Sequence, residues 1–490
     1  MLSNNIQEGT MEGNKVIKPN LSLMNQEQIQ QVHDYSLQIL SSVGVRVDSK
    51  QARMLFTKAI SSKAVEDELV RIPPKLVEWA LRAASSTIDV YDRSSLLAFR
   101  LPDRARFGIG ATDLYFQDPK TDNIVPFARK HIGLSARLGH SLPNFDVIST
   151  MGILQDIPPK VSDLYATLEM TANTTKPIII LISNEHVFPI VLDLLEYLHG
   201  DLSGSPFVIP YLNPITPLVI NEGTVEKMFA AIERGLPIIY SNYGMAGAST
   251  PITPAGELAL LNAELLAGLT LSQLIKEGAP MILGSLPAYF DMKGTGSLYD
   301  PKSYLIDLAC ADMMDHYGLP HAGTSGSGQG WGADLIASGH QWMNHLISCM
   351  SKVGLAPFVG DNLGSLVFSP TVIVYANDII EQTRLFAKGF LMNDEAVGMD
   401  EIAQAGPGGN FLLSELTLKL CRKTYYQSSI FEKLNLEKWR ARGCPKADDS
   451  LREYTLKLLD ESEPPEDHSD LLAKGEAFIK GFVNSQGDRV

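Results

Sequence analysis

Seven apolar runs between residues 145 and 359 end in side chains suited to holding a ligand rather than attacking one. Pro177–Ser183 leads to Asn184-Glu185-His186, and Phe207–Asn213 closes on Tyr211 and Asn213. Pro237–Tyr243 supplies Tyr240, Asn242 and Tyr243, and Pro280–Ser285 leads to Tyr289 and Asp291. Leu319–Thr324 holds His321 ahead of a glycine-rich stretch, 323–332, that contains Gln329 and Trp331. Gly354–Val359 carries Phe358 into Asp361 and Asn362, and Phe145–Met151 completes the set. A single ring at such a position usually packs loop against helix, so the concentration of rings is what carries information. Two or more facing one cavity bind a quaternary ammonium by cation–π attraction. No cysteine and no Gly-x-Ser-x-Gly elbow stands at these ends, so a thiolate–zinc centre and a serine nucleophile lack their residues. His340 and His345 are five apart and do not share a helix face, so no protein-bound metal is expected. A lone buried histidine is as often a hydrogen-bonded core residue as a ligand, which applies to His321 and His345. The glycine-rich stretch lacks the lysine of a P-loop, and its amides ahead of a helix suit a carboxylate equally well.

What must position these residues is a regular alternation. The seven runs, with Met399–Ala405 as an eighth and acidic candidate, are separated by helical segments such as Val161–Ala172, Pro254–Lys276 and Val372–Leu391. Alternating strands and crossover helices predict a parallel sheet, and eight strands predict a closed (β/α)8 TIM barrel with its site at the strands' C-terminal ends. No Gly-x-Gly-x-x-Gly follows the first run, which argues against a dinucleotide-binding open sheet. Residues 1–15 read as a flexible tail, 16–127 as an α+β cap containing strands at Ile88–Tyr91 and Phe107–Phe116, 128–410 as the barrel, and 411–490 as a helical extension.

The 490 residues carry a net charge of −15, which repels phosphate backbones and anionic membrane surfaces. The four scattered cysteines, the lack of a leader-like N-terminus and the shortness of apolar stretches such as Pro177–Ile182 together predict a cytoplasmic protein without membrane spans. Apolar positions on the C-terminal helices predict a homo-oligomer.

Several stretches resemble the trimethylamine methyltransferase family, including its members without pyrrolysine. They are Val43-Gly44-Val45, Tyr91-Asp92-Arg93, Leu142–Asp146, Met151-Gly152 and Asn173–Pro177. The most specific are Gly244–Gly256 with Asn262–Leu269, and Gly406-Pro407-Gly408-Gly409 also fits. The resemblance implies a barrel enzyme that presents a methylated amine to the cob(I)alamin of a separate corrinoid protein. The archetype carries pyrrolysine late in the barrel, a place matched here by Val359–Gly364, which holds only ordinary residues. Pyrrolysine would make a tertiary amine cationic; without it, the donor should already be quaternary. Glycine betaine is the favoured donor, released as dimethylglycine, with carnitine, proline betaine and choline as alternatives. The expected binding residues are rings from Tyr91, Tyr240, Tyr243, Trp331 and Phe358, with His321, Gln329, His345 and Asp361 as polar partners, and no acid–base catalyst.

Two other readings remain at this level. A lyase or decarboxylase would need a lysine or an acid–base pair at the strand ends, and no lysine stands there. A non-catalytic protein that binds a quaternary amine would need only the rings.

Overall fold

Runs such as Ile178-Ile179-Ile180 have the branched side chains that fit a pleated, fully buried strand. The computed structural model describes residues 16–61, 64–110, 112–294, 296–323 and 328–487. Eight parallel strands close on themselves: β1 (Arg106–Ile109), β2 (Val147–Ser149), β3 (Ile178–Ile180), β4 (Val208–Leu212), β5 (Ile238–Ala246), β6 (Met281–Asp291), β7 (His321–Ala322) and β8 (Leu355–Val359). Closure comes from β1, which pairs with β2 through Ile148↔Ile109 and with β8 through Val359↔Ile109. Each strand is followed by a barrel helix: α1 (Arg129–Ser141), α2 (Pro159–Asn173), α3 (Phe188–His199), α4 (Glu222–Glu233), α5 (Pro254–Ile275), α6 (Pro301–Tyr317), α7 (Leu335–Met350) and α8 (Pro370–Lys388).

The barrel therefore has the expected class, but its strands differ from the sequence reading at both ends. The first strand is Arg106–Ile109, inside the stretch read as cap, and Phe107–Phe116 is not one continuous strand. The eighth candidate, Met399–Ala405, is a short helix that buries nothing, as its acidic residues and lack of β-branching allow. Gly108 shows why β1 belongs to the wall. A Cβ there would lie 2.6 Å from Val147 and 2.7 Å from the Pro357 carbonyl, so only glycine lets the two neighbouring strands approach.

Inside the barrel, Val147, Ile179, Ile209, Ile239, Ile282 and Leu355 form one apolar cluster. Ile88, Val90, Phe99 and Leu101 of the hairpin Ile88–Tyr91/Leu97–Leu101 join it. The hairpin stoppers the N-terminal end, where Tyr91 N donates to Pro206 O at 3.1 Å and Arg93 N donates to Thr175 O at 2.8 Å, just ahead of β4 and β3. At that end Asp146 accepts from both Arg106 (3.1 Å) and Arg384 (2.6 Å). Outside the barrel, the helix Gln26–Gln38 packs on α5, while Ala447–Glu461 and His468–Gly487 pack on α8, α1, α2 and α3.

Helix α5 is long and apolar enough to cross a bilayer by length and composition, although the sequence reading found no such stretch. It is a core helix instead, 89% buried in its most apolar window. A helix that is apolar all round belongs inside a large fold, and strands and helices cover this one. Its buried Glu264 accepts from Thr216 Oγ1 (2.9 Å), Leu218 N (2.6 Å) and Asn242 Nδ2 (2.9 Å).

Candidate functional site

The C-terminal end of the barrel gathers polar groups that the rest of the fold leaves unpaired. Asp113 lies four residues beyond β1 and Asp361 two beyond β8, so the pairing of those strands brings both acids to one sector. Both are almost completely buried, and neither carboxylate has a hydrogen-bond partner among the described residues. Burial first, and then the neighbouring Asp361, raise Asp113 well above the usual carboxylate range. Burial pushes Asp361 up to about 6, with Ser365 and the Gly328 amide tempering it without a hydrogen bond of good geometry. Two carboxylates that close cannot both ionise freely, so they titrate as a pair.

The backbone around the pair is held in an uncommon form. Thr112, Leu363 and Ser365 have φ of 59°, 52° and 61°, the left-handed region that few side chains adopt. Gly360, immediately before Asp361, has φ 121°, and a Cβ on it would lie 2.1 Å from Ile373 Cδ1. Both constraints require glycine there.

Four rings surround this sector. Phe358 and Tyr211 meet edge to face inside the barrel, with centroids 4.9 Å apart. The Tyr211 hydroxyl is buried, with Ser241 and Asn213 near it but no hydrogen bond of good geometry among the described residues. Tyr299, in the β6–α6 loop, is driven far above the usual phenol range by burial and then by Tyr243, Asp361 and Tyr211 nearby. The β7–α7 loop lies against it: Gln329 Nε2 donates to Tyr299 O at 3.3 Å, and a Cβ on Gly328 would sit 2.8 Å from Ser365 Oγ and 3.4 Å from the Tyr299 ring. That loop is tied to the β8–α8 loop by Gly364 N to Gly328 O (2.8 Å) and Leu363 N to Gly330 O (2.9 Å). Of the glycine-rich stretch 323–332, residues 324–327 lie outside the described residues. On the β5–β6 side, burial and the nearby Asp300 raise Glu257 to about 7 against an opposing hydrogen bond from Thr250, and Tyr289 is its neighbour.

Of the residues singled out in the sequence, the structure brings Asp361, Phe358, Tyr243 and Gln329 to this sector. It does not bring the others. Tyr91 is in the hairpin at the opposite end of the barrel, where the fold uses it as part of the stopper. Tyr240 is fully buried but points out of the barrel; a Cβ on Gly268 of α5 would lie 2.1 Å from its ring. The pleat explains this: along β5, Ile239, Ser241 and Tyr243 share the inner side, whereas Tyr240 and Asn242 face α5. Trp331 is 72% exposed on the rim, and its backbone is hydrogen-bonded, the carbonyl accepting from Gln117 Nε2 at 3.3 Å and the amide donating to Asp334 Oδ2 at 2.8 Å. His321 sits between β7 and α6: a Cβ on Gly323 would lie 2.8 Å from Asp307 Oδ1 and 3.1 Å from His321 Cε1. Neither ring nitrogen of His321 has a partner among the described residues, and burial lowers it to about 3. His345 packs edge-on against Phe107 with centroids 5.4 Å apart and is likewise lowered to about 3, by burial and then by Arg384. Both are neutral residues packed between the barrel wall and its helices.

Sequence reasoning missed Asp113 and Tyr299 and noted Tyr211 without using it. Asp113 follows a strand that read as cap, and Tyr299 lies in a loop after the β6 hairpin. The only signal for either was a position shortly after or before a barrel element.

The arrangement sets rings beside buried acid, and no cysteine or lysine stands among the described residues of the Asp113–Asp361 sector. Comparison with known proteins agrees with a methyl-transfer barrel. A family model described as trimethylamine methyltransferase matches residues 4–482. The trimethylamine methyltransferase MttB of Desulfitobacterium hafniense is 25% identical over 452 residues, covering 91% of this chain and 90% of that protein. A glycine betaine methyltransferase of the same species is 25% identical over 475 residues, covering 94% and 97%. The crystal structure of the Methanosarcina barkeri monomethylamine methyltransferase superposes with a TM-score of 0.53 at 8% identity, covering 91% of this chain and 89% of that one, a likeness of fold. With a family model spanning nearly its whole length, the chain belongs to the trimethylamine methyltransferase family.

Proposed function

We propose that this protein moves a methyl group from a quaternary amine to the Co(I) of a separate corrinoid protein. The observation that carries this reading is the set of rings, Tyr211, Tyr243, Tyr299 and Phe358, gathered beside the unpaired acids Asp113 and Asp361. Rings and a buried negative charge stabilise a quaternary nitrogen, which has no proton to give. Its leaving group is a neutral tertiary amine, so departure needs no general acid. The side chains then contribute position and exclusion of water, which fix one methyl group along the line of attack. The corrinoid supplies the strong cobalt nucleophile when its carrier docks.

A collar of exposed apolar residues on the loops around the barrel's C-terminal end suits such docking. Leu114, Ile153, Ile215, Met292, Trp331 and Leu335 are 37–92% exposed there. Exposed apolar patches of this kind mark interaction sites. Glycine betaine, released as dimethylglycine, is the donor the sequence reading favours, and one relative bears that substrate in its name. Carnitine, proline betaine and choline are the alternatives. We place the reaction in the cytoplasm, in keeping with four unpaired cysteines, and expect a homo-oligomer, which light scattering can read.

Purified protein mixed with each quaternary amine and cob(I)alamin should yield methylated corrinoid and the matching tertiary amine. Binding of an amine without transfer in any mixture would make the protein a receptor rather than an enzyme.

A further inference from the structure

Several buried acids elsewhere in the fold meet a partner. Asp146 has Arg106 and Arg384, Glu169 has Arg129 at 2.7 Å, and Glu264 has three donors. Asp113 and Asp361 have no such partner among the described residues, nor has Glu257 on the β5–β6 side, and the two aspartates stand together. No lysine or arginine acts on either one: the influences on Asp113 are burial and Asp361, and those on Asp361 are burial, Ser365 and backbone amides. The aromatic groups beside them, Tyr299 and Tyr304, also feel the Asp361 charge and no positive one. Lys227 reaches the end of β3 by donating to Ile182 O at 3.1 Å, and it is already met by Glu185 and Asp163.

An unpaired acidic pair in a dry interior is costly unless something cationic completes it. Two features beside the pair indicate a ligand: the buried Tyr211 hydroxyl, which has Ser241 and Asn213 near it but no hydrogen bond of good geometry, and the crossed rings of Tyr211 and Phe358. A quaternary ammonium fits both, since it needs charge and ring contact but no hydrogen-bond acceptor. A betaine adds a carboxylate close to its nitrogen. That second charge would enter a sector holding Asp113 and Asp361, with Glu257 and Asp300 on the β5–β6 side and no cation to receive it among the described residues.

We infer that Asp113 and Asp361, with Tyr211, Tyr299 and Phe358 beside them, select a quaternary ammonium ion that carries no carboxylate of its own, choline being the model compound, over a zwitterionic betaine. The inference rests on the reading of the site as one for a quaternary amine donor, and it reorders the donors within that reading. For a buried acidic pair beside the ligand and an effective dielectric near 20, the preference should reach at least about tenfold in Kd.

The test is calorimetric titration of the wild-type protein at pH 8 with choline chloride, tetramethylammonium chloride and glycine betaine, alongside methyl transfer to cob(I)alamin. The expected result is tighter binding of the two simple cations, by at least about tenfold. Equal affinity, or tighter glycine betaine, overturns the inference. Asp361→Asn, which removes the charge present at pH 8, should weaken choline by about tenfold or more and glycine betaine by less. If that variant does not fold, as judged by its thermal melt, the wild-type ratio decides alone. Transfer from glycine betaine but not choline would sink the inference and keep the methyltransferase reading. Preferential choline binding with no transfer from any donor would do the reverse.

Discussion

Phe358 offers the cleanest separation of ligand binding from packing. Its ring is 7% exposed, inside the barrel and 4.9 Å centroid to centroid from Tyr211. Truncation to alanine removes a buried aromatic from the barrel interior, at a cost of about 3–5 kcal/mol in stability. It also removes a desolvated cation–π contact of about 1–2 kcal/mol, which is about a tenfold rise in KM. Phe358→Leu divides the two effects. Leucine keeps most of the volume, so the melting temperature should change little, whereas the ring contact is lost completely. The expected outcome in a methyl-transfer assay with cob(I)alamin is a KM raised about tenfold with kcat nearly unchanged, because the ring holds substrate and transition state alike. Trp331→Ala is the matched control. Its side chain is 72% exposed, so KM for the amine should stay within about twofold, since a rim ring far from the buried sector offers no desolvated contact. An unchanged KM in Phe358→Leu, or an equal rise in Trp331→Ala, would refute the placement of the ligand beside Tyr211 and Phe358.

Other consequences can be checked in the same preparations. Burial raises Asp361 from the ordinary carboxylate value of 3.8 to about 6, so in the absence of ligand its charging opposes folding. The native state is favoured fully below pH 4, and that contribution is lost as pH rises through about 6. Asp361→Asn should therefore melt above wild type at pH 8 and level with it near pH 4, while amine binding to wild type should strengthen as pH rises through 6; the facing groups are Asp113, Tyr299, Tyr304, Ser365 and the Gly328 amide. Asp146→Ala leaves Arg106 and Arg384 buried without their shared acid, and denaturant titration should show a loss of about 3–5 kcal/mol, with KM in the folded fraction unaltered. Gly268→Ala drives a methyl into the Tyr240 ring, where only 2.1 Å is available, and should cost about 1–3 kcal/mol or more without touching the site. Tyr91→Phe should leave amine kinetics unchanged, since that ring belongs to the far end of the barrel.

The sequence by itself determined the alternation of strand and helix, because apolar runs and their spacing are local properties that each segment satisfies alone. It also determined the chemistry at the strand ends: rings and acids without thiols, Phe358 and Asp361 among them. Parity against the barrel wall was decided only by the closed sheet. Tyr240 and Tyr243 look equivalent in a list of strand-end tyrosines, yet the pleat turns one toward α5 and the other inward. Which segment supplied the closing strand was decided by long-range pairing. Arg106–Ile109 is short, contains a glycine and follows polar residues, so nothing local marks it as barrel; its partners lie about 40 and about 250 residues away. That one pairing moved the eighth strand from Met399–Ala405 to the start of the barrel and carried Asp113 to Asp361. It thereby made a buried acidic pair from two aspartates that the chain holds 248 positions apart.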